Sequence, residues 1–219
     1  MLLSVQEDLL QFALRAFVTL FVVVDPLGVA PMFVGLTTGM DDARKRAMLS
    51  RAVAVAFSVT IFFLVAGGFL LSYLGVTVDA FAISGGVLLF IASVPMLFGQ
   101  RPGLQAPERS EERATGEDIA IFPLAIPLLS GPGAITSVLL LTNQARGDLV
   151  RLALFAVVIA AVYTISWGVL AAGDRVMARL GQGKVHIITR VLGIILAALA
   201  VQYILSGLAG FYATLIGAK

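Results

Sequence analysis

The sequence predicts an all-α membrane protein of six transmembrane helices, built as a 3+3 inverted repeat with helices 1 and 4 broken at mid-membrane. Three observations carry this. The 219 residues are 59% apolar and only 13% charged, with a mean hydropathy of +1.01, whereas a soluble domain carries about 25% charge. The charges are also segregated, leaving continuous apolar runs long enough to cross a roughly 30 Å hydrocarbon core as helices. Such runs lack the alternation of a transmembrane barrel, so helices must satisfy the backbone. Third, the two halves of the chain resemble each other. Asp25-Pro26-Leu27-Gly28 lies 106 positions before Gly131-Pro132-Gly133-Ala134, and Ser84-Gly85-Gly86 lies 107 before Val191-Leu192-Gly193. Near-equal offsets at two places argue for duplication. An odd number of spans per half makes the second half enter the membrane from the opposite side.

The apolar segments run over residues 10 to 38, 52 to 73, 76 to 99, 119 to 142, 150 to 172 and 186 to 216. The chain opens MLLSVQEDLLQ, with Glu7 and Asp8 and no basic n-region, so the first segment is expected to be retained rather than cleaved as a signal peptide. At its middle Pro26 cannot donate to the helix ladder, and Asp25 before it is a natural N-cap. Two half-helices with an unwound joint at Val24 and Asp25 follow. A basic connection with Arg44, Lys45, Arg46 and Arg51 leads to the second segment. In the second and third, Gly67-Gly68 and Gly85-Gly86 read as places of close helix approach. Residues 100–118 are rich in Pro, Gly and mixed charge and form the linker between halves 1–99 and 119–219. The fourth segment repeats the break: Pro123, Pro127 and Pro132 flank Ser130, Gly131 and Gly133, and a half-helix begins at Pro132. The fifth and sixth are joined by a connection with Arg175, Arg179, Lys184 and Arg190. The three cation-bearing connections hold eleven Lys and Arg, against Arg146, Arg151 and Lys219 on the other side. Both termini are therefore expected outside, with residues 100–118 cytoplasmic and the chain multi-pass in a bacterial-type inner membrane.

Irregular backbone at mid-membrane is tolerated only inside protein or beside a water-filled cavity. Half-helix N-termini offer free N–H groups suited to a carboxylate. The candidate substrate-binding residues are thus Asp25, Pro26, Gly28, Ser130, Gly131, Pro132, Gly133, Thr136 and Ser137. Asp25 is the sharpest of them, because an acid at the membrane centre costs about 2.5 to 3.5 kcal/mol on insertion scales and such groups bind cations or relay protons. Its carboxylate is a candidate site for a coupling H⁺ or Na⁺, while the structural reading makes it the cap of the second half-helix. Prolines that kink, glycines that pack and hydroxyls that bond back to their own helix are the structural readings of the rest. Asp79, His186 and Arg190 fall at segment ends and read as interfacial. Gln202 and Tyr203 either line a cavity or bond between helices.

Several classes are excluded or unsupported. With no cysteine there are no disulfides or thiolate metal sites. A net charge of +2 is too small to imply a nucleic-acid partner. Enzyme motifs are missing, and around Gly183-Lys184 the residues Ala178 and Val185 break the pattern of a phosphate-binding loop. No cofactor and no enzymatic activity are expected. The expected partners are a small-molecule substrate, the lipid bilayer and, compatibly, further copies of the chain.

DPLGVAPMFVGLT at 25 to 37, AISGGVLLF at 82 to 90, PLAIPLLSGPGAIT at 123 to 136 and RVLGIILAALAVQYILSG at 190 to 207 closely resemble the MarC family. The resemblance marks Asp25, Pro26, Gly28, Pro31, Pro127, Gly131, Pro132 and Gly133 as characteristic. It implies a six-span layout similar to that of amino-acid exporters, with transport of small neutral amino acids such as alanine and glycine. Family members often carry Asn after the first glycine, where this chain has Val29. A secondary transporter working by alternating access leads the functional expectations, followed by a nonenzymatic accessory protein and a gated channel.

Overall fold

A computed structural model describes residues 2–98, 120–145 and 147–217; the linker at 100–118 lies outside the described residues. The described elements are helices: α1 (Leu2–Val24), α2 (Pro26–Leu36), α3 (Asp42–Tyr73), α4 (Val78–Leu97), α5 (Ala120–Leu129, of π-helical pitch), α6 (Pro132–Gln144), α7 (Leu149–Ala171) and α8 (Gly173–Gly217, broken at Gly181). Five stretches are long and apolar enough to cross a membrane: Glu7–Leu36, Asp42–Tyr73, Val78–Leu97, Leu149–Ala171 and Gly183–Gly217. The fourth sequence segment is divided between α5 and α6, neither of which is long enough alone.

The basic connection after the first segment is not a loop. Asp41 caps α3 by accepting from the Arg44 amide at 2.8 Å, and Arg44, Lys45 and Arg46 form its opening turns. Arg175 and Arg179 likewise begin α8 before the chain turns at Gly181, whose φ of 71° favours glycine.

Helix neighbours occur in matched sets. α1 packs on α7 and α5 on α3; α2 packs on α8 and α6 on α4; α2 touches α7 and α6 touches α3. The α4–α8 seam is the most extensive. On it a Cβ at Gly86 would meet the Ala200 carbonyl and Ile204, and one at Gly193 would meet Met96 and Leu97. Leu97 and Ile204 are related by the same 107-residue offset as Gly86 and Gly193. α3 and α7 run antiparallel, from Ser50 beside Trp167 to Thr60 beside Tyr163, with Lys45 beside Asp174 just past the end of α7. Phe12 of α1 meets Phe155 near the start of α7, whereas Phe33 and Val34 of α2 flank Gly173, just beyond its end. The α1–α2 pair therefore runs the length of α7. Leu20, Leu49, Leu124, Leu129, Phe155 and Ile159 fill the center of the bundle, each at most 1% exposed.

Candidate functional site

The first break is tighter than an unwound joint. Val24 remains in α1, and Asp25 alone leaves the helical region, at φ 44° and ψ 61°. Asp25 N still donates to the Phe21 carbonyl and Val29 N donates to the Asp25 carbonyl, both at 3.0 Å. Proline explains the interruption, because Pro26 has no N–H to give Val22 and its ring disfavours α conformation in the residue before it. Aspartate tolerates the left-handed region better than most residues because its short polar side chain bonds locally. Here Oδ1 accepts from the Gly28 amide at 3.0 Å. The N-terminus of α2 is thus occupied by the protein's own carboxylate, which is 8% exposed.

The second break is built differently. Ser130 N and Oγ both donate to the Ala125 carbonyl, at 2.9 Å each, ending α5. Gly131 is extended (φ −72°, ψ 176°), and α6 starts at Pro132 with no side-chain cap. The Gly131 position excludes a side chain because a Cβ would fall on the Pro127 carbonyl oxygen. The Gly133 position is tight against Leu89 and Val23.

The two breaks meet at one cavity of about 130 Å³. Asp25, Gly28, Gly131, Pro132 and Gly133 line it, joined by Pro127, and Asp25 is the only ionisable group in its wall among the described residues. The remaining sequence candidates lie outside that wall. Pro26 is buried at the start of α2, and Ser130 is held on Ala125. Thr136 donates to the Pro132 carbonyl and sits where Gly85 makes room for it. Ser137 donates to the Gly133 carbonyl and shares a 2.8 Å hydroxyl contact with Tyr203. Leu88, Leu89, Ala92 and Met96 of α4 and Thr189 and Leu196 of α8 also line it, and sequence reasoning did not single them out. Leu88 and Leu89 fall within AISGGVLLF at 82 to 90 and Leu196 within RVLGIILAALAVQYILSG at 190 to 207, motifs that pointed to these helices without marking these positions.

A second buried polar cluster holds the α5 end. Tyr163 OH shares a 2.7 Å contact with Thr60 and donates to the Leu129 carbonyl at 3.0 Å, tying α7 and α3 to the residue before the Ser130 break.

Long apolar helices, two breaks and the buried carboxylate of Asp25 between them define an integral, multi-pass helical membrane protein. Residues 10–212 match the MarC family of integral membrane proteins. The chain belongs to this family, also called UPF0056. It is 39% identical over 200 residues to a UPF0056 membrane protein of Archaeoglobus fulgidus, covering 91% of this chain and 93% of that one. The UPF0056 membrane proteins YhcE of Escherichia coli and YvbG of Bacillus subtilis are 31% and 30% identical, over 92% and 93% of this chain and 94% and 97% of theirs. No solved structure matches the chain.

Proposed function

We propose that this protein is a secondary transporter of a small neutral amino acid, working by alternating access as a six-span 3+3 inverted repeat. The observation that carries the reading is the shared cavity: an acceptor-only carboxylate on one wall and an uncapped helix N-terminus on another. An ammonium group fits Asp25, and a carboxylate fits the Gly133 and Ala134 amides at the positive end of α6. An apolar cavity of about 150 Å³ takes a six-carbon ring, so one of about 130 Å³ suits a solute of about five or six non-hydrogen atoms, the size of glycine or alanine. A coupling H⁺ or Na⁺ would use the same carboxylate.

The matched helix neighbours and the reciprocal Gly86 and Gly193 contacts support the inverted repeat. The cavity is one-sided. It extends from the breaks along Met32, Met96 and Thr189, toward the basic end of the bundle. The equivalent positions toward the other end, Val138 and Tyr203, are buried, with Tyr203 bonded to Ser137. With the basic end cytoplasmic and both termini outside, this is an inward-facing arrangement in a bacterial-type inner membrane.

Uptake of labelled alanine and glycine into proteoliposomes tests the reading. A transporter gives saturable flux that is lost in Asp25→Asn protein. A channel gives unsaturable conductance, and an accessory protein gives neither; either result would overturn the proposal.

A further inference from the structure

The seam between α3 and α7, continued at its basic end by the first turn of α8, combines two features that the proposed transport cycle does not use. At its basic end, a cavity of about 220 Å³ is lined by Lys45, Arg46, Arg175, Asp42 and Asp174 over a floor that includes Phe33 and Leu49. Lys45 and Asp174 pair at 3.1 Å, while Arg46 and Arg175 have no ion-pair partner among the described residues. Next along the seam is a mostly apolar groove of about 310 Å³, with Val53, Ala54, Phe57 and Ala160 in its walls. Between them Trp167 Nε1 donates to Ser50 Oγ at 3.0 Å.

The two are continuous by helical spacing. Arg46, Ser50, Val53 and Phe57 share one face of α3, and Ala171, Trp167, Thr164 and Ala160 share one face of α7. From Arg46 to Phe57 the rise is about 16 Å at 1.5 Å per residue. That matches one leaflet's share, about 15 Å, of the roughly 30 Å hydrocarbon core, the depth an acyl chain occupies from the headgroup level inward. With three cations and two carboxylates, one of them paired with Lys45, the pocket keeps a net positive charge between membrane helices at their basic end and suits a lipid phosphate, and a tryptophan with its N–H toward the polar end marks the interfacial level.

We propose that the α3–α7 seam binds one anionic phospholipid, its phosphate at Arg46 and Arg175 and one acyl chain in the groove beside Phe57. The inner wall of that groove is Tyr163, whose hydroxyl reaches the Leu129 carbonyl next to the second break. The bound lipid therefore packs on the helix that steadies the site, and the proposal stands whether or not the protein transports.

The test is native mass spectrometry and thermal stability of delipidated full-length protein with phosphatidylglycerol, phosphatidylcholine of the same chains, and glycerol phosphate alone. One phosphatidylglycerol should bind and raise the melting temperature, with phosphatidylcholine at least about fivefold weaker. Each of Arg46→Gln and Arg175→Gln should weaken phosphatidylglycerol about fivefold, given roughly 1 kcal/mol per basic residue near anionic lipid. Ala54→Trp, on an exposed position, should block the groove and lower affinity with the charges intact. Equal binding of both lipids, or unchanged affinity in all three variants, would overturn the proposal. Stabilization reproduced by glycerol phosphate alone would also overturn it, by assigning the pocket to a free anion.

Discussion

At the scale of the residue, Asp25 does two jobs that substitution can separate. Its backbone takes the left-handed conformation that ends α1, and its carboxylate caps Gly28 while lining the cavity. Asparagine tolerates the same backbone and keeps a capping oxygen, so Asp25→Asn should melt within about 1 kcal/mol of the parent and lose transport. Alanine keeps neither property. Loss of the cap costs about 1 kcal/mol and the left-handed backbone roughly 1 to 2 more, so Asp25→Ala should be destabilized by about 2 to 3 kcal/mol in detergent melts. Gly28 and Gly35 supply a matched pair within α2. A Cβ on Gly28 would fall on the Asp25 carboxylate, whereas one on Gly35 meets open space. Gly28→Ala should displace the carboxylate and abolish solute flux. Gly35→Ala should leave flux unchanged and stabilize α2 by up to about 1 kcal/mol through helix propensity alone.

At the scale of the element, the breaks were legible because proline chemistry is local: Pro26 and Pro132 each remove a ladder donor wherever they stand. Their inner construction was not legible. Confining the first break to Asp25 depends on a carboxylate turning back onto Gly28, and nothing in AIFPLAIPLL sets the π pitch of α5 apart from an ordinary helix. The hydroxyls of Ser130, Thr136 and Ser137 look like ligands in sequence and are consumed by carbonyls of their own segments in the structure. The apolar half of the cavity, from Leu88 to Leu196, was invisible for a different reason. Lipid-facing, helix-facing and cavity-facing positions of a membrane helix share one composition, so only packing tells them apart. Packing also gives Tyr203 a role, since its bond to Ser137 joins α8 to α6 on the side of the breaks away from the cavity mouth. Tyr203→Phe removes that tie, worth about 1 kcal/mol or less. The arrangement open to the other side should then gain up to about fivefold in population. A cysteine placed at Ala82, the buried counterpart of Thr189, should react with an aqueous maleimide faster by about that factor in the Tyr203→Phe background. An unchanged rate would remove Tyr203 from the closing contact.

At the scale of the whole molecule, the issue is whether the broken segments pass through the membrane or turn back at their prolines. Charge decides poorly, because doubling back would only alter the eleven-to-three split of Lys and Arg by one residue. Packing is more informative. α7 has 23 residues, a rise of about 34 Å and enough to cross the hydrocarbon core. α1 meets it at Phe155, near its start, and α2 ends against Gly173, beyond its finish. A hairpin bent at Asp25 would bring both contacts to the same end of α7. Thr38, after α2, and Leu149, at the start of α7, should therefore lie on opposite faces, and both are exposed. The chain has no native cysteine, so single cysteines at these positions report without background. In right-side-out vesicles an impermeant maleimide should label the Leu149→Cys protein at once and the Thr38→Cys protein only after permeabilization. Because α3 and α4 cross between these two positions, labelling of both from one face would mean that α5 and α6 turn back rather than cross, and the six-span inverted repeat would fall with it.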